Sequence, residues 1–266
     1  MKSVIITGAN GQLGLALKQI SDSYEFRFKF VSKESLNITD KDQLEKFFFE
    51  NRFDYCINCA AYTNVEQAEK EPEKTFKVNS DGVKNLAEVC KKRGIALIHI
   101  STDYVFDGKK RGPYTEEDTP NPINEYGKSK FQGEQHIQEI LEEYYLIRTS
   151  WLYSDFGKNF YKTILEKAGT NETLRITDDQ TGCPTHALNL AHFILTILNK
   201  KDIEFGIYHY TDGEAMTWFD FAYKILKENG MLDKVKLERV KNYRTFAARP
   251  KNSELASNKP IKSNEN

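Results

Sequence analysis

Three glycines near the start constrain this chain more than anything else in it. An apolar run, Val4-Ile5-Ile6-Thr7, passes into Gly8-Ala9-Asn10-Gly11-Gln12-Leu13-Gly14 and then into a helical pattern from Ala16 to Ile20. A strand that turns on glycine into a helix is the phosphate-binding βα unit of a dinucleotide fold. Gly8 permits the tight turn. Gly11 lets the backbone approach a pyrophosphate with no Cβ in the way. Gly14 lets the helix pack close to the sheet, and the helix N-terminus offers free N–H groups and partial positive charge. The spacing is G-x-x-G-x-x-G.

The strand–helix rhythm continues down the chain. Phe26 to Val31 alternates as a second strand, Asp40 to Arg52 reads as a helix that Asp40 can cap, and Asp54 to Ala61 reads as a third strand. A short helix from Asn64 breaks at Pro72, a longer one runs from Glu73 to Arg93, and Ile95 to Ile100 is a fourth strand ending in Ser101-Thr102-Asp103. A glycine- and proline-bearing loop, Asp107 to Asn124, precedes a helix from Tyr126 to about Tyr144 and a strand from Tyr145. Strands alternating with helices predict an α/β fold: a Rossmann-like, doubly wound parallel sheet over residues 1–150. Ligands of such sheets bind beyond the carboxyl ends of the strands, where Gly8–Leu13, Ala60–Thr63 and Ser101–Asp103 fall. Past Trp151 the pattern loosens, with helices at Asn159–Ala168, Ala187–Asn199 and Thr217–Asn229 and short strands at Leu174–Ile176 and Gly206–Tyr210. Residues 151–252 are read as mainly a small C-terminal substrate-binding lobe with some segments returning to the core, and 253–266 as a polar, poorly ordered tail.

Composition closes off several classes. The 266 residues carry a net charge of −1, which gives no support for nucleic-acid or membrane-surface binding. No apolar run approaches the ~18 residues of a membrane span, and the N-terminal run reads as a strand rather than a signal peptide. Cys56 and Cys59 form a C-x-x-C, but no second pair or nearby histidine completes a metal site, so reduced core thiols in a cytoplasmic protein are expected and no metal is.

Tyr126 and Lys130 lie four apart, on one face of their helix. An ammonium beside a phenol favours the phenolate, so Lys130 is expected to lower the Tyr126 pKa and make it a usable proton donor. At the end of the second strand stand Ser32 and Lys33, with no carboxylate until Glu34. A basic residue there accommodates the 2′-phosphate of NADPH, so NADPH is favoured, with NADH possible. His99 and His209 read as core or sheet-face residues.

Several strings together narrow the reading: Asn58-Cys59-Ala60-Ala61-Tyr62-Thr63, Ser101-Thr102-Asp103-Tyr104-Val105-Phe106-Asp107-Gly108, Arg148-Thr149-Ser150-Trp151, Asp179 to Thr185 and Ala248-Arg249-Pro250. With the glycine turn and the Tyr126–Lys130 pair they resemble the dTDP-4-dehydrorhamnose reductase family of extended short-chain dehydrogenases/reductases, from Val4 to about Lys259. The resemblance implies NADPH-dependent reduction of the C4 ketone of dTDP-4-dehydro-6-deoxy-L-mannose to dTDP-L-rhamnose, a precursor of surface polysaccharide. It implies that Gly11, Gln12 and Leu13 hold the cofactor pyrophosphate, that Asn37 and Ile38 lie near the adenine, and that Ala61, Tyr62 and Thr63 line the cofactor channel. Lys130 would bind the nicotinamide ribose, Thr102 and Tyr126 would meet the C4 oxygen, and Asp103, Trp151 and Arg249 would contact the nucleotide-diphosphate sugar. The protein would be a monomer or homodimer; Ala16 stands near where some members carry a metal-binding glutamate, so no such site is expected. In that family the chain usually runs on into a further helix, whereas this sequence stops at Asn266. Alternatives on the same fold are a nucleotide-sugar epimerase or dehydratase, or a non-catalytic NADP-binding regulatory subunit. A dehydratase usually carries an acidic pair after the threonine, and here Asp103 is followed by Tyr104.

Overall fold

The computed structural model describes residues 1–170, 173–200, 202–259 and 261. In the first half every strand is followed by helix: β1 (Lys2–Thr7), α1 (Gln12–Ile20), β2 (Phe26–Val31), α2 (Lys41–Glu50), β3 (Tyr55–Asn58), α3 (Val65–Ala68), α4 (Pro72–Phe76), α5 (Gly82–Arg93), β4 (Ala96–Thr102) and α6 (Glu125–Ile140), leading into β5 (Tyr144–Thr149). The second half is more broken: β6 (Leu152–Tyr153), α7 (Phe160–Gly169), β7 (Leu174–Thr177), β8 (Thr181–Gly182), β9 (Thr185–His186), α8 (Ala187–Asn199), β10 (Gly206–His209), β11 (Met216–Thr217), α9 (Trp218–Glu228) and β12 (Leu237–Val240).

Six parallel strands form the main sheet in the order β10-β5-β4-β3-β1-β2. Both faces are covered, which is why β1 and β4 read as continuous apolar runs rather than alternating ones. Val4 and Ile6 face α1 and α8, and Ile5 faces α2 and α5. β2 is an edge strand and alternates, with Phe26, Phe28 and Phe30 half-buried. Strand order reverses between β1 and β3, so the crevice for a ligand opens where Gly8 meets Ala60. Gly8 sits there at φ +66°, and a Cβ on it would lie 2.6 Å from the Ala60 nitrogen.

Three sequence expectations are corrected. The helix expected as one piece from Glu73 to Arg93 is interrupted by a π-helical turn over Lys77–Asp81. Asn79 explains it: its Oδ1 accepts from Tyr62 N, and its Nδ2 donates to Tyr62 O and Ser129 Oγ, tying the turn to β3's exit and to α6. The helix after Asn124 stops at Ile140, where the Leu141 backbone becomes extended. The polar tail expected from Ser253 is instead docked. Ser253 N donates to Thr181 O, Ala256 N donates to Tyr114 O, and the carboxylate of Glu116 accepts from Ser257 Oγ and Asn258 N. Leu255, packed with Phe106 and Tyr114, gives that stretch its apolar anchor. Residues 260 and 262–266 of the expected tail lie outside the described residues.

Beyond Leu152, a separate apolar cluster gathers α7, α9 and β7 around Ile164, Phe221 and Ile225. α8 and β10 belong with the main sheet: α8 packs on α1, and β10 pairs with β5. Among the described residues no helix is long and apolar enough to cross a membrane.

Candidate active site

The carboxyl ends of β4 and β5 lie side by side, with Thr102 paired to Thr149. Thr102 folds the next turn by accepting from Tyr104 N at 3.2 Å, and its own hydroxyl donates to Asp103 Oδ1 at 3.1 Å. α6 arrives over this edge. Asn124 caps it by accepting from Gly127 N at 2.7 Å, and its Nδ2 reaches Ala248 O at 2.7 Å. A Cβ on Gly127 would overlap the carbonyl oxygen of Tyr104, so only glycine lets the helix come this close. The approach sets Tyr126 edge-on to the Tyr104 ring, centroids 5.9 Å apart. One turn on, Lys130 is buried: its Nζ donates to Ile100 O at 2.6 Å and lies 3.2 Å from His99 Nε2.

Burial governs the electrostatics here and corrects one expectation. Tyr126 is not lowered. Burial pushes it up to about 12, against a smaller downward pull from the Thr102 hydroxyl. Lys130 is itself drawn down to about 8 by burial, with Glu134 and Cys59 pulling the other way, and its nitrogen is engaged by Ile100 and His99. Asp103 rises to about 6 because burial outweighs the hydroxyls of Ser253, Thr102 and Ser150. The phenol therefore stays protonated at neutral pH, the form that can donate.

Three adjoining cavities receive the residues singled out in the sequence. The first, about 560 Å³, brings together Gly11, Gln12, Leu13, Ala61, Thr63, Thr102, Asp103, Tyr126, Lys130 and Trp151. The second, about 510 Å³, shares Gly11 and Ala61 with it and takes Gly8, Lys33, Asn37, Ile38 and Tyr62. Gly14 lines neither; it is buried in α1, against Ala9. Arg249 lines the third, about 370 Å³, which meets the first at Phe160 and Trp218. Its Nη2 donates to Glu66 Oε1 at 2.8 Å, so part of its guanidinium is already engaged within the protein. No side chain caps α1 at Gly11, leaving its first-turn N–H groups for a ligand.

The RmlD substrate binding domain family matches residues 1–264. The dTDP-4-dehydrorhamnose reductase of Aggregatibacter actinomycetemcomitans is 38% identical over 95% of this chain and 90% of its own length. This chain belongs to the dTDP-4-dehydrorhamnose reductase family. The spore coat polysaccharide biosynthesis protein SpsK of Bacillus subtilis is 36% identical over 96% of the chain and 89% of its own. A crystal structure of dTDP-4-dehydrorhamnose reductase from Bacillus anthracis, in complex with NADP, superposes with a TM-score of 0.93 at 39% identity, covering 97% of this chain and 91% of that one.

Within this dTDP-4-dehydrorhamnose reductase fold, several lining residues carry no signal in the sequence. Phe160 and Trp218 wall the first and third cavities, and Lys74 and Lys77 edge the second. The lysines stand just before and at the π-helical turn, which Asn79 imposes and no periodicity announces. The tryptophan could have been suspected as one of only two in the chain; its stacking on Trp151, centroids 3.5 Å apart and planes 7° from parallel, could not. Trp151 itself holds an uncommon backbone, φ 47°.

Proposed function

We propose that this protein reduces the C4 ketone of dTDP-4-dehydro-6-deoxy-L-mannose to dTDP-L-rhamnose with NADPH, a cytoplasmic step toward surface polysaccharide. The observation that carries the reading is the meeting of Thr102, Tyr126 and Lys130 in one cavity that the uncapped start of α1 also lines. Relatives bearing the reductase name across nearly the whole chain support it.

The residues present suit a dinucleotide. Gly11, Gln12 and Leu13 would take the pyrophosphate at the α1 N-terminus, where Gly11 has no Cβ to stand between the backbone and a phosphate. The adenosine would lie in the second cavity by Asn37 and Ile38, with Lys33 facing the 2′-phosphate. Ala61, Tyr62 and Thr63 would line the passage, and Lys130 would hold the nicotinamide ribose. Bound NADPH supplies the hydride chemistry.

The chain's own residues do the rest. Negative charge grows on the C4 oxygen as the ketone is reduced, and the Tyr126 hydroxyl and the Thr102 hydroxyl, turned away from Asp103, donate to it. Tyr126 then hands over its proton as general acid. Asp103 and Trp151 place the sugar, and the nucleotide reaches toward the third cavity and Arg249. In this reading residues 151–252 are mainly the substrate lobe.

NADPH oxidation measured with a panel of nucleotide 4-ketosugars tests the proposal. Turnover should be fastest with dTDP-4-dehydrorhamnose. Tyr126→Phe should lower kcat by about 10²–10⁴-fold while NADPH still binds. Full turnover in that variant would remove the acid assignment.

A further inference from the structure

Behind Lys130 runs a buried chain of polar groups that the proposed reaction does not use. Thr7 Oγ1 donates to Asn58 Oδ1 at 2.6 Å, and Ala60 N donates to the same oxygen at 3.1 Å. Asn58 Nδ2 lies 3.0 Å from His99 Nδ1, and His99 Nε2 lies 3.2 Å from Lys130 Nζ. Thr7, Asn58, His99 and Lys130 are all at most 2% exposed, so water does not complete these bonds.

Counting donors fixes the protons. The backbone N–H of Ala60 and the Thr7 hydroxyl hold the Asn58 amide with its oxygen toward them, so its NH₂ must donate to His99 Nδ1. A neutral imidazole then carries its single N–H on Nε2, which points at Lys130. That N–H needs an acceptor, and an ammonium is not one. Only the uncharged amine of Lys130 can accept from His99 while donating to Ile100 O.

We propose that His99 is a positioning residue for Lys130: its Nε2–H, set by Asn58, favours the lysine's free amine in the empty protein and so, in alkaline solution, couples nucleotide binding to uptake of one proton. The proton comes from solvent onto Nζ, and leaves again when the nucleotide does. Ribose hydroxyls at the site provide the acceptors an ammonium lacks, and Nζ turns from His99 toward them. This inference rests on the reading that Lys130 meets the nicotinamide ribose.

The titratable groups around Lys130 are His99 on β4, Cys59 beyond β3, and Glu134 and Tyr126 on α6 itself. Burial keeps His99 uncharged, well below its ordinary range, and holds Cys59 up at about 12 as a thiol. Tyr126 is likewise raised to about 12. Only Glu134 brings a negative charge, and Arg148 neutralises it at 2.7 Å. With Lys130 drawn to about 8, the free amine dominates above that pH.

Calorimetric titration of NADPH into the protein at about pH 9, in two buffers of different ionisation heat, reads the proton directly. Wild type should take up close to one proton per NADPH, falling toward none at about pH 6.5. His99→Gln offers Lys130 an amide oxygen instead of an N–H, so uptake should drop to less than half. Asn58→Asp should do the same from the other side, because a carboxylate draws the imidazole N–H to Nδ1 and frees Nε2 to accept. Lys130→Met should bind NADPH more weakly and take up no proton. Uptake in wild type no greater than in Lys130→Met overturns the inference, whatever becomes of the histidine variants. So does undiminished uptake in whichever of His99→Gln and Asn58→Asp fold. If Lys130→Met binds NADPH as tightly as wild type, the ribose assignment itself fails, and the coupling with it.

Discussion

The two walls of the first cavity are built by opposite means. One is the edge of the main sheet: Thr102 and Thr149 sit on long parallel strands in fixed register, and α6 is clamped on them through Gly127 and Asn124. The other is a stack of rings, Trp151 on Trp218 with Phe160 4.5 Å from Trp218, set just before β6 and at the starts of α9 and α7, beside ladders only two residues long, β6 with β9 and β8 with β11. In the proposed reaction, the groups that must meet a reacting atom within tenths of an ångström stand on the stiff wall. Those that would only grip a flat or apolar part of the ligand stand on the other, where a shift of one ring can be absorbed by the next.

The stiffness of the first wall has an identifiable source, and removing it should have the largest effect. Arg148 on β5 and Glu134 on α6 form a fully buried ion pair: Nε donates at 3.0 Å and Nη2 at 2.7 Å, while Ser101 Oγ donates to the same carboxylate. Arg148→Met would leave that carboxylate buried without its cation. Urea denaturation should show a loss of about 3–5 kcal/mol, and the surviving folded protein should lose turnover along with α6's placement. A small loss would mean that the helix is held by apolar packing alone.

A second test asks what the stiff wall costs. Burial raises the Asp103 carboxyl to about 6 from its ordinary 3.8, so the folded state holds a proton that the unfolded chain releases. Stability from this group is highest below about pH 4 and falls as pH rises through 6, because the native state binds more protons than the unfolded one. Asp103→Asn should therefore be more stable than wild type at pH 7 by roughly 2–3 kcal/mol, and the gain should vanish below about pH 4. Thermal unfolding across that range reads it. The same variant should bind the sugar nucleotide less well, which would place the strain at a residue used for recognition.

How much of this was legible in the residues themselves differs between the two walls in the same way. The glycine turn could be read because each glycine has a local cause. Tyr126 and Lys130 could be paired because helical spacing alone puts them on one face. The direction of their pKa shifts could not, since it depends on how closely α6 packs on β4, where burial outweighs the Thr102 hydrogen bond at Tyr126 and the Glu134 charge at Lys130. His99 looked like a sheet-face residue because its partners, Asn58 and Lys130, come from a neighbouring strand and a helix 31 positions on. Trp218 reaches Trp151 across 67 residues of chain with no periodic signal. Local chemistry was visible; contacts closed by tertiary packing were not.

The softer wall should respond to truncation more mildly. Trp218→Ala removes the stack on Trp151 and the bond from its Nε1 to Gln180 Oε1 at 3.0 Å. KM for the sugar nucleotide should rise about tenfold, with kcat little changed. NADPH affinity should hold, because Trp218 does not border the second cavity. A fall in kcat equal to that seen with Tyr126→Phe would erase the distinction between the walls.

The smallest effect belongs to the second cavity, away from both walls. Lys33 lines it, exposed, and so does Glu34 beside it. The carboxylate is kept below its ordinary range, chiefly by a hydrogen bond from Ser32 and least by Lys33 itself, so it is charged at neutral pH. The two side chains pull the cofactor choice in opposite directions: a lysine attracts the 2′-phosphate of NADPH, and a carboxylate repels it and suits the free ribose hydroxyl of NADH. An exposed single charge is screened, so Lys33→Ala should lower the NADPH-to-NADH ratio of kcat/KM by only about 2–5-fold. Glu34→Gln should raise it by a similar factor. If Lys33→Ala abolished the preference outright, the lysine would have to be gripping the phosphate in a dry site, which its exposure denies. If neither variant moved the ratio, the discrimination would fall to Lys77 and Lys74 on the opposite rim, and Lys77→Ala measured with both cofactors would show it.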